Sequence, residues 1–500
     1  MAYHKRATHK AQQTTRRSQK NHSPLKICLL PFFRLLHHAQ EVLMLDKNPK
    51  SAIWPSLGVA GHSFAFYAVC ALLVLSLVFR GVASADAIAL YGTFIAAAYL
   101  SPFFGSWLSL RLGLRATVML GGLLASVGVI CLSWQAARES VDAGQVHHAL
   151  LLSLGSLALG VGLIKPNLVT LVTRLFPSGS SLVDPALARY YAFTNGGAIA
   201  GPLVAGYCAV RWGYSVGFAV ALIGECFLLS VMLLGWRALA AAESWSSLAP
   251  FGVGVSTGSG PGSSSSADPV DPRAIRSALA VLVPFFLLAT VGFWPAYHQN
   301  GTGLTIWAQQ HTQLDMWGFH IPPAWFASIN SAMCVLLSVP LSRWFSGGSA
   351  SSVGESASDG KVDRSSLVIP VGYALMSLSF VVLLIAARLG PIVSPLWLIG
   401  SIVLSALSEL AVSIGGLSRV AKVTPRRYMP LAMSCWYGTV ALGGIIAGQA
   451  GRLPLLSSFM LCSALSACAA LVYLLRSALG ASRFGVVSAT SRPVSMVAAL

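Results

Sequence analysis

Charge is scarce in this chain: Asp and Glu together number 15 in 500 residues, and charged residues of both signs make up only 10%. A soluble protein of this length needs far more charge to cover its surface, so a soluble globular fold is excluded. Metal-ligand spacing is also missing. Cys70, Cys131, Cys208, Cys226, Cys334, Cys435, Cys462 and Cys468 fall inside apolar runs with no paired pattern, and they read as small buried hydrophobes. No nucleophile–base pair, metal cluster or phosphate loop stands out, which makes an integral-membrane enzyme the weakest reading. No resident cofactor is expected. The first long apolar run follows a long polar arm and has many more behind it, so no cleavable signal peptide is expected.

Hydrophobicity is what the chain has in excess, at 55% of residues and a mean hydropathy of +0.71. Apolar runs of about 20 residues recur along the whole length, each long enough to cross a bilayer. Lipid offers no hydrogen-bond partner to the backbone, so spanning segments are helices or a closed barrel. The runs are continuous and not alternating, which excludes the barrel. Spans are expected near Leu57–Phe79, Asp86–Leu108, Gly113–Trp134, Ala149–Val172, Ala188–Val210 and Tyr214–Trp236. A second set is expected near Ala278–Asn300, Ala324–Trp344, Leu367–Ala387, Leu396–Val420, Tyr428–Ala447 and Leu453–Leu475.

The expected organisation is therefore all-α and integral to the membrane, with twelve transmembrane helices in two six-helix halves. A basic N-terminal arm covers residues 1–56, followed by a first bundle over 57–239. A linker over 240–275 contains the Gly/Ser-rich run Gly252–Asp268, a composition that cannot bury a core and reads as a tether. The second bundle covers 276–478 and a tail covers 479–500. A shorter polar stretch, Gly347–Asp363, separates the eighth and ninth spans. Six spans, a tether and six spans is the major-facilitator layout, in which two halves rock around a central site.

Net charge is +18, and its placement matters more than its size. The first 50 residues hold ten Lys/Arg against Glu41 and Asp46. Such an arm can touch acidic lipid or RNA; in front of a hydrophobic bundle its simpler role is to keep the N-terminus inside, and no nucleic-acid partner is expected. With that orientation the inner loops and tail hold 17 Lys/Arg and the outer loops hold five, without counting the arm. Both termini are thus expected in the cytoplasm, in a plasma-type (inner) membrane, with lipid as the surrounding partner and the oligomeric state left open.

Ionisable groups at bilayer depth are expensive and mark function by default. Few are found here: Lys165, Glu225, Glu409, His62 and His298. Lys165 lies in Gly160-Val161-Gly162-Leu163-Ile164-Lys165-Pro166-Asn167, where a fixed cation beside a proline kink attracts a substrate carboxylate; the alternative is a lysine snorkelling to the inner face. Glu409, inside the tenth span, pairs with a cation or substrate ammonium, carries a proton, or is a packing carboxyl. Glu225 divides evenly between a structural and a functional carboxyl. His298, in Trp294-Pro295-Ala296-Tyr297-His298-Gln299-Asn300, is a proton carrier or a satisfied structural histidine. His62 is ambiguous.

At these residues the chain resembles the proton-dependent oligopeptide transporter family, a branch of the major facilitators. Gly162-Leu163-Ile164-Lys165-Pro166-Asn167 is similar to the family's GxxKPN element, and Tyr190-Tyr191-Ala192-Phe193-Thr194-Asn195-Gly196-Gly197 to its FYxxINxG signature, with Thr194 in place of Ile. Phe66-Tyr67, Tyr99 to Gly105, Gln299 with Gly303 to Thr305, Pro323 to Phe326, Ser328 to Asn330 and Glu409 to Ser418 extend the likeness. It runs from about Phe64 to Gly451.

The resemblance implies import of di- and tripeptides, with the proton as coupling ion. It would place Tyr67, Tyr99 and Lys165 around the peptide carboxylate, Asn195, Asn330 and Glu409 around the ammonium, and Trp436 along the pocket. Opposite charges held apart across an apolar pocket suit a zwitterion. Departures are as specific as the matches. The first-helix ExxER positions read Val59-Ala60-Gly61-His62-Ser63, the usual arginine after Phe-Tyr is Cys70, and the usual seventh-helix acid is His298. Leu110 takes the place of a loop Asp, and the family's extra helix pair is replaced by the tether. Glu409 and His298 remain as proton-coupling candidates. Other readings are a facilitator or exporter of another small organic solute without proton coupling, or a non-transporting receptor or scaffold.

Overall fold

The computed structural model describes residues 50–138, 143–176, 180, 182–240, 242, 272–316, 318–346, 364–425 and 428–481. The basic arm before Lys50, the Gly/Ser run, the Gly347–Asp363 stretch and the tail after Ala481 lie outside them.

The first six helices are α1 (Ile53–Phe79), α2 (Ser84–Leu112), α3 (Leu114–Ala136), α4 (Ala143–Arg174), α5 (Val183–Trp212) and α6 (Tyr214–Leu234). The second set opens with α7 (Pro272–Leu288), α8 (Trp294–Tyr297) and α9 (Gly303–Gln310), which together form one apolar run. After a short hairpin of β1 (Asp315–Met316) and β2 (Phe319–His320) come α10 (Trp325–Ser346), α11 (Arg364–Leu389), α12 (Pro395–Val423), α13 (Met429–Ala450) and α14 (Leu455–Ala481).

Ten segments among the described residues are long and apolar enough to cross a membrane. With α5, which is long but carries Asp184, Arg189 and Asn195, and α10, whose apolar part is Trp325–Ser338, the bundle reaches twelve. The fold is that of a twelve-helix major facilitator, as the hydropathy pattern predicts.

The seventh span departs from expectation. In place of one helix over Ala278–Asn300, the run extends over Pro272–Gln310 and is broken twice, by a π turn at Ala289–Phe293 and a 3-10 turn at His298–Gly301. Pro295 has no N–H to return to the preceding turn, and the ladder widens just before it. The Gln299 Oε1 accepts from the Gly303 amide at 3.2 Å and from the Thr302 hydroxyl at 3.2 Å, which caps the start of α9. The helix thus presents Tyr297, His298 and Asn300 from irregular backbone in mid-bundle, a position tolerated only inside protein.

One hydrophobic core is built mainly from α1–α6, and another from α7–α9 and α11–α14. The two sets meet chiefly through α2 against α13 and α5 against α10, with α1 touching α9 and the 3-10 turn. The residues in these contacts lie toward the end of the bundle that carries the α1–α2 and α5–α6 connections, away from the chain termini. The Trp325 indole N–H donates to the Leu203 carbonyl at 2.8 Å, and the Ser328 hydroxyl to the Ile199 carbonyl at 2.8 Å. Gly92 lies so close to Gly444 and Gly448 that a Cβ would overlap the Gly444 carbonyl. A void of about 10 Å³ lined by Ala71, Asn300 and Ala324 is the packing gap there, room for about one water.

Candidate functional site

Lys165 is placed by the close crossing of α4 on α2. Pro166 leaves the Gly162 carbonyl without its helical donor, and that carbonyl faces Gly105, where a Cβ would overlap it. Asn167 fastens the same crossing, with Nδ2 donating to the Leu163 carbonyl at 2.8 Å and to the Gly105 carbonyl at 3.3 Å. Lys165 therefore leaves α4 from a stiff point and turns toward α1. Its Nζ lies 4.2 Å from the Phe66 ring centroid and 5.8 Å from that of Tyr67, a cation–π cradle. No carboxylate of the described residues forms an ion pair with it. Cys70 lies within electrostatic reach of the ammonium.

Across the bundle, the Glu409 carboxylate is held by neutral donors alone. Tyr297 donates its hydroxyl to Oε1 at 2.9 Å, and Asn330 donates Nδ2 to Oε2 at 2.9 Å. The Cys334 thiol lies 3.5 Å from Oε2. The Asn330 Oδ1 is buried and makes no hydrogen bond. Tyr67, Tyr99 and Tyr191 are all close enough to Glu409 to interact with it electrostatically. Tyr67 thus lies beside the cation of one half and within electrostatic reach of the anion of the other.

An aromatic wall closes the second half. Trp436 stacks on Phe285 at 5.4 Å with planes 6° apart and meets Trp294 edge-on at 5.7 Å. It is only 2% exposed, so in this conformation it packs beneath its neighbours and lines no open cavity. Trp294 is fixed by its indole N–H on the Thr439 hydroxyl at 2.9 Å and lies edge-on to Tyr297 at 5.6 Å. His298 donates Nε2–H to the Val440 carbonyl at 3.2 Å, with the Tyr99 ring 6.4 Å away. Asn195 donates to the Tyr191 carbonyl of its own helix at 3.0 Å and makes no hydrogen bond to Glu409.

Among the sequence-predicted residues, Lys165 and Tyr67 are therefore side by side, and so are Glu409 and Asn330, with Tyr99 between Glu409 and His298. Tyr297 and Cys334 join Glu409 although neither stood out in the sequence as a ligand. Tyr297 was one polar residue in a dense cluster, and Cys334 a hydrophobe in an apolar run. The largest surprise lies apart from this site: His62 and Glu225, two isolated ionisable residues in the sequence, pair with each other at 2.9 Å.

Twelve helices in two sets, with a cation on one and a carboxylate on the other, define a membrane transporter of the major-facilitator kind. The POT family profile matches residues 115–248 and 267–462, and the chain belongs to that family. It is 27% identical over 477 residues to the peptide transporter YePEPT of Yersinia enterocolitica, covering 82% of this chain and 91% of that one. It is 24% identical over 440 residues to the dipeptide and tripeptide permease A of Escherichia coli, covering 77% of this chain and 81% of that one. A solved peptide transporter POT in complex with sulfate superposes with a TM-score of 0.74 at 24% identity, over 88% of this chain and 96% of that one. A POT family transporter solved with 5-aminolevulinic acid gives 0.72 at 21% identity, over 87% and 97%. At these identities the two structures establish the shared fold.

Proposed function

We propose that this protein moves di- and tripeptides, or a related small amphoteric solute, across the plasma (inner) membrane by alternating access, driven by the proton gradient. One observation carries the reading: Lys165 on the first six-helix set and Glu409 on the second have no oppositely charged partner among the described residues, while Tyr67 lies beside the first and within electrostatic reach of the second. A zwitterion supplies the two missing charges at once. Its carboxylate meets Lys165 with Tyr67 and Tyr99 alongside, and its ammonium reaches Glu409 with Asn330 and Asn195 alongside. The dipeptide and tripeptide permeases among its relatives and the amphoteric ligand of the solved POT neighbour support that substrate class.

Residues 57–239 and 276–478 act as the two rocking halves, joined by the 240–275 linker, with both termini cytoplasmic. The contacts α2–α13 and α5–α10 then close the outer face in this conformation. Glu409 and His298 are the groups that carry the coupling proton; Trp436 enters the pocket wall when the aromatic stack rearranges.

The test is uptake by Lys165→Ala and Glu409→Gln in proteoliposomes. Each variant reaches the membrane in normal amount and loses at least 50-fold of its dipeptide uptake. Normal uptake by either removes that residue from the site.

A further inference from the structure

His62 and Glu225 are titratable, fully buried and unused by the site between Lys165 and Glu409. They meet where α1 crosses α6 at close range. A Cβ on Gly61 would overlap the Gly224 carbonyl, and one on Gly224 would overlap the Gly61 carbonyl. Each glycine directly precedes one member of the pair, so the backbones are drawn in where the two side chains touch. The surrounding helices bring glycine and apolar groups to this crossing. On α5, Gly197 faces Ala60; on α4, Leu168 faces Gly58; on α3, Gly122 faces Leu228; on α2, Phe94 meets Phe66. Among the described residues His62 is the only ionisable group that acts on Glu225. One charge stands beyond an aromatic ring. Phe66 stacks on the His62 imidazole with centroids 6.3 Å apart, and its own centroid is 4.2 Å from the Lys165 Nζ.

The outer atoms of the pair, His62 Nε2 and Glu225 Oε2, are buried and have no hydrogen-bond partner. A carboxylate only accepts, so the His62 Nδ1–H donates to Oε1 and the Nε2 lone pair is left free. In that state the pair holds one net negative charge in an apolar core, which is costly. A proton from water that bonds to the Nε2 lone pair gives an imidazolium beside a carboxylate, with no net charge. The bare Lys165 ammonium behind Phe66 opposes that proton, and a substrate carboxylate on Lys165 removes the opposition. Proton and substrate therefore favour each other's binding, the sign that symport requires.

We propose that His62 and Glu225 form a further proton-carrying site, loaded at His62 Nε2 when the substrate carboxylate occupies Lys165 and discharged when it leaves. This rests on the proton-driven transport reading above and adds to Glu409 and His298 a carrier held wholly within one six-helix set.

The wild-type protein is compared in proteoliposomes with Glu225→Gln, which keeps the side chain's shape, and with the apolar double variant His62→Phe, Glu225→Leu. Neither variant depends on the other to fold. Protons entering per alanyl-alanine, from labelled dipeptide and an internal pH dye, fall by one in both variants, while counterflow at equal pH persists. Infrared difference spectra between acid and alkaline buffer, on protein with ring-labelled histidine, need no substrate. They show an imidazole band in the wild type that is missing from the double variant. A wild-type proton count in either variant, or identical histidine difference bands in wild type and double variant, overturns the proposal. A wild-type protein that takes up no dipeptide refutes the transport reading instead, and the histidine band then decides by itself whether the pair exchanges a proton.

Discussion

The His62 Nδ1 lies 2.9 Å from the Glu225 Oε1, joining α1 to α6 across 163 residues of sequence. Both side chains are 0% exposed, and His62 Nε2 and Glu225 Oε2 have no hydrogen-bond partner. A buried pair with unsatisfied outer atoms is poor value for stability, yet breaking it leaves one polar group stranded.

Glu225→Leu alone is therefore expected to destabilise the protein by about 3 kcal/mol, as removal of one partner of a buried pair does. The double variant His62→Phe with Glu225→Leu is expected to recover most of that loss. Thermal unfolding in detergent measures both. A double variant no more stable than the single one would show that the pair contributes stability in its own right.

This pairing also marks where the sequence stops being readable. Helix number and the two-set layout follow from hydropathy, because an apolar run in lipid has to close its hydrogen bonds within itself. Lys165 and Glu409 stand out for the complementary reason, as charges that lipid penalises. Which charges meet is a matter of packing between distant helices, and neither His62 nor Glu225 has a neighbour in sequence that announces the other. The break in the seventh span is hidden from hydropathy as well. Its hydropathy continues through Pro295 and Gly301, while the backbone follows the missing proline N–H and breaks.

Tyr297 carries one of two hydrogen bonds to the Glu409 carboxylate at 2.9 Å. A hydrogen bond to an ionised group contributes about 1.5–3 kcal/mol. Tyr297→Phe is expected to raise the KM for a dipeptide roughly tenfold while the amount of folded protein stays unchanged, since the ring keeps its packing. Asn330→Ala should do the same from the other oxygen. Uptake kinetics at fixed pH decide the matter, and an unaltered KM in both variants would show that Glu409 needs no positioning.

Gly92 meets Gly444 backbone to backbone where the two sets join. Gly92→Leu is expected to hold the α2–α13 contact apart, so the face opposite the termini cannot seal. Concentrative uptake should fall at least tenfold without loss of protein from the membrane. A cysteine introduced at Ala71, which lines the small void on that face, should become reactive to an impermeant maleimide in the Gly92→Leu background and stay unreactive without it. Equal labelling in the two backgrounds would mean that this contact is not the seal.

The most direct measurement is uptake of alanyl-alanine into proteoliposomes containing the purified protein, with and without an inwardly directed proton gradient. A zwitterion site between Lys165 and Glu409 linked to proton movement predicts accumulation above the external concentration only when the gradient is present. Folded protein that takes up no dipeptide, or accumulates it to the same level without the gradient, would contradict it.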